Sequence, residues 1–361
     1  MGSSTTQLRW AEIDLRAVRA NAARILAQVP HGTRLMAVVK ANGYGHGAVR
    51  VARAALGGGA TWLAVATLDE ANELTGLVHP ERILVMGGMV PEQAAAAAAS
   101  GFAIGVSSLE FARALEGGDE VVTVHLKVDT GMGRFGASPA EAESLARFID
   151  RSSALRLAGT WTHFASAGTD EAMTRAQFDR FMETLDALGV DPGLRHVCNS
   201  AATLRYPEMA LEAVRAGIAM YGCEWPGAAP ALTLRSVVTH VKRVPKGATV
   251  GYGALWSAPS EARVATVAIG YADGVHRARG NRGHVLVRGR LAPLIGAVSM
   301  DAITVDVSDV EGVAVGDVVT LIGADGDERI TAEEVAEWSN TISYEVLTAI
   351  GPRVKRVYLP M

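Results

Sequence analysis

The sequence predicts an α/β protein in which a (β/α)8 TIM-type barrel is followed by a mostly β C-terminal domain. Eight short apolar runs alternate with amphipathic stretches up to about residue 220, which is typical of a parallel barrel. After about residue 231, β-type runs are separated by turn residues. The length of 361 residues allows about two domains, and a content of 49% hydrophobic and 20% charged residues is that of a globular protein.

The eight apolar runs have the length and the Val, Ile, Leu and Ala content of strands that are buried on both faces. They are LMAVV (35–39), WLAVA (62–66), RILVM (82–86), FAIGV (102–106), VTVHLKV (122–128), LAGTWTH (157–163), RHVCN (195–199) and LEAVRA (211–216). Helical stretches are predicted over 14–26, 48–56, 68–77, 92–99, 109–115, 139–149 and 173–188. The seventh helix of the barrel, around 201–204, is only weakly indicated, and an open doubly wound sheet is the alternative.

The C-terminal part contains five runs typical of strands, at 236–244, 262–269, 284–289, 302–307 and 312–323. Thr331, with Glu334 three residues later, predicts the start of a helix that extends to about Trp338. We therefore expect three regions. Residues 1–11 form an N-terminal tail, flexible up to Thr6, and a strand that packs with the C-terminal domain. Residues 12–232 form the barrel, and residues 233–361 form the β domain.

Composition excludes several classes of function. The net charge of −4 argues against a nucleic-acid-binding protein. No run of about 18 apolar residues is present, and the N-terminus lacks the features of a signal peptide, so no membrane association is expected. The two cysteines, Cys198 and Cys223, form no disulfide framework, which favours a reduced cytoplasm. No metal site is predicted.

Unusual polar residues follow the predicted barrel strands, where the active sites of such barrels lie. Lys40 is predicted as the last residue of the first strand, where desolvation would lower its pKa and make it nucleophilic. A surface lysine is the alternative. The loop after it holds Tyr44 among three glycines, which suggests a backbone bent around a ligand.

The later strands add further candidates. Ser200, Gly217 and Ile218 follow the seventh and eighth strands, where such barrels often bind phosphate. A nucleophilic lysine and a phosphate site together suggest a phosphorylated aldehyde held as a Schiff base, with pyridoxal 5'-phosphate (PLP) as the candidate. The remaining candidates at these strand ends are Lys127, Arg134, His163, Asn199 and Arg215.

Nine blocks of sequence resemble those of the alanine racemases, bacterial PLP enzymes with a barrel and a C-terminal β domain. They occur in the family's order and span residues 37 to 345. The blocks are AVVKANGYGHGA (37–48), KVDTGMGRFG (127–136), THFA (162–165), NSA (199–201), VRAGIAMYG (214–222), GYG (251–253), GYADG (270–274), SMD (299–301) and ISYE (342–345).

The resemblance implies an isomerase that interconverts L- and D-alanine and supplies D-alanine for peptidoglycan. Lys40 would carry PLP and act as one acid/base group. Tyr252, lent by the second subunit of a homodimer, would act on the opposite face. Racemisation requires such a pair, because a proton leaves one face of Cα and returns to the other.

The resemblance also assigns the remaining roles. Tyr44, Ser200, Gly217, Ile218 and Tyr344 would hold the phosphate, with Asn199 beside them in the cofactor site. Arg215 would bond the pyridine nitrogen, and His163 would lie near the ring and connect to Arg215. Arg134 would contact the phenolic oxygen of the cofactor and the substrate carboxylate. Met300 and Asp301 would come from the partner subunit, Tyr271 and Tyr344 would narrow the entrance, and Lys127 would be carbamylated.

Three positions depart from the family pattern, and one of them is Gly43, where the family often has alanine. Ala297 and Ala302 stand where the family more usually has arginine and glutamine, which could alter the subunit interface or the hydrogen bonding of the site. The alternatives in function are an amino-acid racemase of broader specificity, for example for serine, and a non-catalytic PLP carrier. Carriers of that type lack a β domain.

Overall fold

The computed structural model describes residues 7–117 and 120–360, so the predicted tail over residues 1–6 lies outside the described residues. The chain divides into two units. One, which we call the C-terminal unit, contains the chain up to Arg16, the short segment Tyr44–Gly47 and the chain from Pro230 onward. The other, which we call the barrel unit, contains Ala17–Gly43 and Ala48–Ala229.

The first strand, β1 (Arg9–Ile13), belongs to the C-terminal unit. The barrel unit is built around eight parallel strands that close in chain order. They are β2 (Arg34–Val38), β3 (Trp62–Val65), β4 (Ile83–Val85), β5 (Ala103–Val106), β6 (Val122–Lys127), β7 (Leu155–Trp161), β8 (Leu194–His196) and β9 (Ala213–Ala216). β9 pairs back onto β2, with Ala216 opposite Ala37. This closure confirms the predicted barrel and excludes the open sheet.

Helices connect these strands, and five of them begin at a residue whose side chain caps the N-terminus. In the helix Pro139–Arg151, Ser138 caps the N-terminus, and Glu141 completes a capping box. Ala142, Leu145, Ala146 and Ile149 form its buried face. The helices of the barrel region are Leu15–Leu26, Ala48–Gly57, Leu68–Asn72, Ala94–Ala99, Leu109–Leu115, Pro139–Arg151, Glu171–Ala187 and Ser200–Arg205.

Some predicted boundaries were wrong. The stretch 68–77 is helical only to Asn72, and the helix predicted over 92–99 consists of a 3-10 turn at Pro91–Gln93 followed by Ala94–Ala99. Lys40 is not the last residue of a strand, because β2 ends at Val38. Lys40 instead opens a turn with a left-handed backbone.

The C-terminal unit contains a second closed ring of strands, this one antiparallel. The strands of this part are β10 (Leu232–Val244), β11 (Thr249–Val250), β12 (Trp256–Ser257), β13 (Ala262–Val267), β14 (His284–Val287), β15 (Arg290–Ile295), β16 (Ile303–Asp306), β17 (Val318–Asp325), β18 (Glu328–Ile330) and β19 (Lys355–Tyr358). In the ring, β10 pairs with β13, β13 with β16, β16 with β15, β15 with β14, β14 with β17, and β17 with β10. β1 lies between β10 and β19.

Two helices complete this unit. Ala332–Ser339 begins at the predicted cap, where Thr331 and Glu334 form a capping box. Ser343–Thr348, which carries Tyr344, was not predicted as a helix. The run 312–323 was predicted as one strand, but β17 begins only at Val318. In the ranges that the structure describes, no helix is long and apolar enough to cross a membrane.

Candidate active site

The carboxyl ends of the barrel strands surround a cavity of about 220 Å³. Lys40, Arg134 and His163 supply its polar lining. Met86, Phe135 and Trp161 contribute apolar and aromatic walls. The position is the one expected for the functional site of a parallel barrel.

The backbone after Lys40 has a positive φ at five consecutive residues, Ala41 to Gly45. Ala41, Asn42 and Gly43 have φ values of 52°, 53° and 60°. For residues other than glycine this conformation costs about 1–2 kcal/mol each, so surrounding contacts must hold it. Asn42 Oδ1 accepts a hydrogen bond from Ala48 N at 3.0 Å, and Glu70 Oε1 accepts one from Ala41 N at 2.6 Å. The strain is therefore concentrated beside the lysine.

The environment of Lys40 favours its neutral amine. Burial lowers the pKa of Lys40, and the nearby cations Arg134 and Arg215 lower it further. The Glu70 carboxylate opposes this shift. Glu70 was not predicted as a site residue, although Thr67 and Glu70 have the spacing of a capping box that could have located it.

Arg215, on β9, is buried inside the barrel without a carboxylate partner among the described residues. Its Nη groups donate to the carbonyl oxygens of Thr162, His196 and Val197 at 2.7–2.9 Å. They also face His196 Nδ1 at 2.8 Å and His163 Nδ1 at 3.3 Å. Burial lowers the pKa of Arg215 to about 10, so the group remains a cation near neutral pH.

These contacts determine which nitrogen of each histidine carries the proton. Arginine can only donate, so His196 Nδ1 must accept, and its proton lies on Nε2. His196 Nε2 then donates to His125 Nδ1, 3.0 Å away. Burial lowers the pKa of His125 to about 3, and burial and Arg215 hold the pKa of His196 and of His163 well below the ordinary value. All three imidazoles are therefore neutral at physiological pH.

His196, His125 and Trp161 were not predicted as parts of the site. Trp161 stacks on His196 with an interplanar angle of 7°. An added Cβ at Gly159 would lie 2.5 Å from His125 Nδ1, so the glycine makes room for the imidazole. The signal in the sequence was the presence of histidines inside apolar strand runs.

Lys127, at the end of β6, is 2% exposed, and its Nζ has no hydrogen-bond partner within the described ranges. Nζ lies 3.1 Å from the centroid of the Phe135 ring. Burial and then Arg134 lower the pKa of Lys127 to about 7. Asp129 Oδ1 accepts hydrogen bonds from the N–H groups of residues 131–133 and so shapes the loop that carries Arg134.

The ends of β8 and β9 form a small polar cradle. Asn199 caps the helix Ser200–Arg205 through Ala202 N. Ser200 Oγ accepts hydrogen bonds from Gly217 N at 2.9 Å and from Ala219 N at 3.4 Å. Ile218 opens a 3-10 turn, where backbone N–H groups have no partner within the turn. The cradle offers N–H and hydroxyl groups of the kind that bind anions.

The C-terminal unit holds the other predicted site residues. The rings of Tyr44 and Tyr344 lie 6.0 Å apart, and burial raises the pKa of Tyr44. Tyr271, Met300 and Asp301 are exposed, and Asp301 accepts a hydrogen bond from Arg353 at 2.7 Å. Tyr252 is 76% exposed at the tip of the β11–β12 hairpin. The structure thus brings one group of predicted residues together in the barrel and holds a second group on the C-terminal unit.

No group of three His, Cys, Asp or Glu side chains with the geometry of a metal site occurs in residues 7–117 and 120–360. The polar side chains that line the cavity are Lys40, Arg134 and His163, the buried cation Arg215 lies beside His163, and no carboxylate is among the described lining residues. Such an arrangement favours an anionic ligand.

Comparisons with known proteins agree on one family. The family models for the alanine racemase N-terminal domain and C-terminal domain match residues 13–224 and 231–358. An alanine racemase of Symbiobacterium thermophilum is 44% identical, with 97% of this chain and 96% of that protein covered. The crystal structure of alanine racemase from E. faecalis is 37% identical, with a TM-score of 0.92 and coverage of 99% of this chain and 100% of that one.

A third relative is the crystal structure of alanine racemase from Bacillus anthracis with bound L-Ala-P. It is 39% identical, with a TM-score of 0.91 and coverage of 99% of this chain and 96% of that one. The family models and the solved structures match both the barrel and the β domain of the chain. The chain belongs to the alanine racemase family.

Proposed function

We propose that this protein interconverts L- and D-alanine with PLP, and that Lys40 and Tyr252 are the two acid/base groups. Membership of the family gives the isomerase activity and the PLP dependence. The assignment of the site rests on the hydrogen bonding of Arg215. Its Nη groups are bound by protein acceptors, while none of the described residues accepts a hydrogen bond from its Nε.

The barrel residues fit the cofactor. The amine of Lys40 would bond to the aldehyde carbon of PLP, and Arg215 Nε would donate a hydrogen bond to the ring nitrogen. Ser200 Oγ already accepts two N–H groups, so its own hydrogen can be donated to a phosphate oxygen, next to the N–H of Ile218. Tyr44, Tyr344 and Gly217 complete the proposed phosphate site, with Asn199 holding the helix start.

Bound PLP supplies an electron-withdrawing ring that makes the Cα–H bond of the substrate more acidic. Lys40, with its lowered pKa, then removes or returns a proton on one face of Cα. Tyr252 acts on the other face. Arg215 cannot give up its proton near neutral pH, so it would offer the ring nitrogen a hydrogen bond without protonating it. An unprotonated ring withdraws electrons less strongly, which limits carbanion stabilisation and side reactions.

Arg134 is proposed to bind the phenolic oxygen of the cofactor and the substrate carboxylate, with His163 beside the ring. We further propose that Lys127 is carbamylated: its neutral Nζ attacks the carbon of CO2, an N–C bond forms and a proton leaves. The lowered pKa and the unpartnered Nζ support this. The resulting anion would hold the Arg134 guanidinium.

We propose that the active form is a homodimer with shared active sites. Tyr252, Met300 and Tyr271 are large side chains that the C-terminal unit leaves exposed, which supports contact with a second copy of the chain. In this proposal Tyr252, Met300 and Asp301 reach the partner's barrel, while Tyr271 and Tyr344 narrow the entrance.

We also propose the division into residues 1–11, 12–232 and 233–361; the pairing of β1 with β10 and β19 supports the grouping of the N-terminal strand with the C-terminal domain. A place in the cytoplasm and the supply of D-alanine to peptidoglycan are proposals that rest on the family and on the absence of a disulfide between the described cysteines. No observation favours a serine-type specificity or a non-catalytic carrier.

The proposal is tested by chiral analysis of alanine after incubation with each enantiomer. We expect Lys40→Ala and Tyr252→Phe each to lower racemisation by about 10²–10⁴-fold, because each removes one acid/base group. Tyr206→Phe is the matched control, since the buried Tyr206 hydroxyl has no hydrogen-bond partner in the described part of the chain. Full activity of either site variant would reject the two-base assignment.

A further inference from the structure

The hairpin that carries Tyr252 is anchored at its base and open at its tip. Val250 belongs to a buried cluster with Ile295, and Trp256 packs against the same cluster. The residues between them, Gly251 to Leu255, are all exposed. Burial therefore fixes the two ends of the hairpin but does not fix the position of the tyrosine.

The tip also has an unfavourable backbone. Gly251 and Gly253 have φ values of 78° and 71°, and Ala254 has a φ of 49°. The left-handed conformation of an alanine costs about 1–2 kcal/mol. A tip of this kind is expected to relax unless contacts from outside the hairpin hold it.

Asn281 supplies these contacts. Its Nδ2 donates to Leu255 O at 2.9 Å, and its Oδ1 accepts from Gly296 N at 2.6 Å. Asn281 itself has a φ of 56°, which asparagine tolerates better than most residues. One amide side chain thus joins the far end of the hairpin tip to the end of β15.

The end of β15 also supports the near end of the tip. An added Cβ at Gly296 would lie 2.7 Å from Val250 O, and one at Gly251 would lie 3.5 Å from Ala297 N. The backbone on both sides of Tyr252 is therefore held against the same short segment, Gly296–Ala297. Asn281 is the side chain that links the two.

We propose that Asn281 is a positioning residue for the second acid/base group, and that it acts by holding the Tyr252 hairpin tip in its left-handed conformation. The inference rests on the proposed role of Tyr252. Proton transfer depends on the position of the phenol, and a displacement of about 1 Å can cost about 10²-fold in rate. Asn281 would thus influence one face of the reaction and not the other.

Two substitutions separate the parts of this linkage. Asn281→Asp keeps an acceptor for Gly296 N but replaces the donor to Leu255 O by a repelling oxygen. Asn281→Gly removes both bonds and suits the positive φ. Asn340→Gly is the matched control, because Asn340 also has a left-handed backbone, with a φ of 54°, and its side chain makes no hydrogen bond in the described part of the chain.

The readout is the exchange of the Cα hydrogen of each enantiomer with D2O, measured beside racemisation. Inversion needs both groups, but exchange of the hydrogen that faces Lys40 needs only Lys40. We expect both Asn281 variants to lower racemisation, and exchange on the tyrosine side, about tenfold or more. Exchange on the lysine side should stay within about twofold of wild type, as should bound PLP measured by absorbance. In the Tyr252→Phe background, adding Asn281→Asp should cause no further loss of racemisation.

The outcomes separate this inference from the proposed function. Full racemisation by Tyr252→Phe would reject the role of the tyrosine itself. An impaired Tyr252→Phe together with wild-type activity of both Asn281 variants would overturn only the role of Asn281. Equal losses on both faces, or a loss of bound PLP, would assign Asn281 a general structural role and also overturn the inference.

Discussion

Replacing His125 tests the neutral chain of histidines inside the barrel. His125 is fully buried and accepts a hydrogen bond from His196 Nε2 at 3.0 Å. In His125→Gln, the amide oxygen can accept the same hydrogen bond, but the side chain no longer titrates. The difference between the two proteins therefore isolates the protonation of one imidazole.

The magnitude follows from the pKa of His125, which burial lowers from 6.5 to about 3. Above pH 6.5 the imidazole is neutral in both the folded and the unfolded chain. Between pH 6.5 and 3 only the unfolded chain takes up the proton, so stability falls as the pH falls through this range. At pH 5 the loss from this one group is about 2 kcal/mol.

Urea unfolding of the holoenzyme at pH 7.5 and pH 5 measures this effect. We expect the free energy of unfolding of the wild-type enzyme to fall by about 2 kcal/mol more than that of His125→Gln over this interval. The carboxylates and other histidines titrate in both proteins and cancel in the difference. Equal losses in the two proteins would refute the assignment of a neutral, buried His125.

Three further predictions concern the barrel. Ser200→Ala removes the acceptor of Gly217 N and the hydroxyl donor, so we expect the Kd for PLP, measured by absorbance titration, to rise about 10-fold or more. An unchanged Kd would contradict the role of Ser200 in phosphate binding. Lys127→Met should abolish a carbamate signal in 13C NMR of the enzyme in labelled bicarbonate, and a wild-type enzyme without that signal would refute the carbamate. Gly159→Ala places a Cβ against His125 and should lower the free energy of unfolding by about 1–3 kcal/mol; urea unfolding at wild-type stability would contradict the packing.

The barrel could be predicted because its strands are buried on both faces and therefore appear as uniform apolar runs. The strands of the β domain were harder to identify. β15 (Arg290–Ile295) contains a proline and has three exposed residues among its six, and β18 (Glu328–Ile330) is short and carries two charges, so neither resembles a buried strand. β15 pairs with β14 and β16 inside the closed ring, and β18 pairs with β17 at its edge; no local sequence pattern reveals these partners.

The candidate site was predictable to the extent that its residues occur in short blocks along the chain. Lys40 could be identified from its motif, but its left-handed turn depends on Glu70, which comes from a different helix. The contact between His125 and His196 joins residues 71 positions apart, and only the closed barrel brings them together. The link between Asn281 and Leu255 likewise depends on the tertiary fold.

Mixing two inactive variants tests the central claim most directly, since each proposed active site combines Lys40 of one chain with Tyr252 of the other. In a hybrid of Lys40→Ala and Tyr252→Phe, one site lacks both groups and the other has both. If equal amounts are dissociated and reassembled at random, half of the dimers are hybrids, and we expect about a quarter of wild-type racemase activity to return. If both groups came from the same chain, every site would lack one of them, and a mixture without activity would contradict the account.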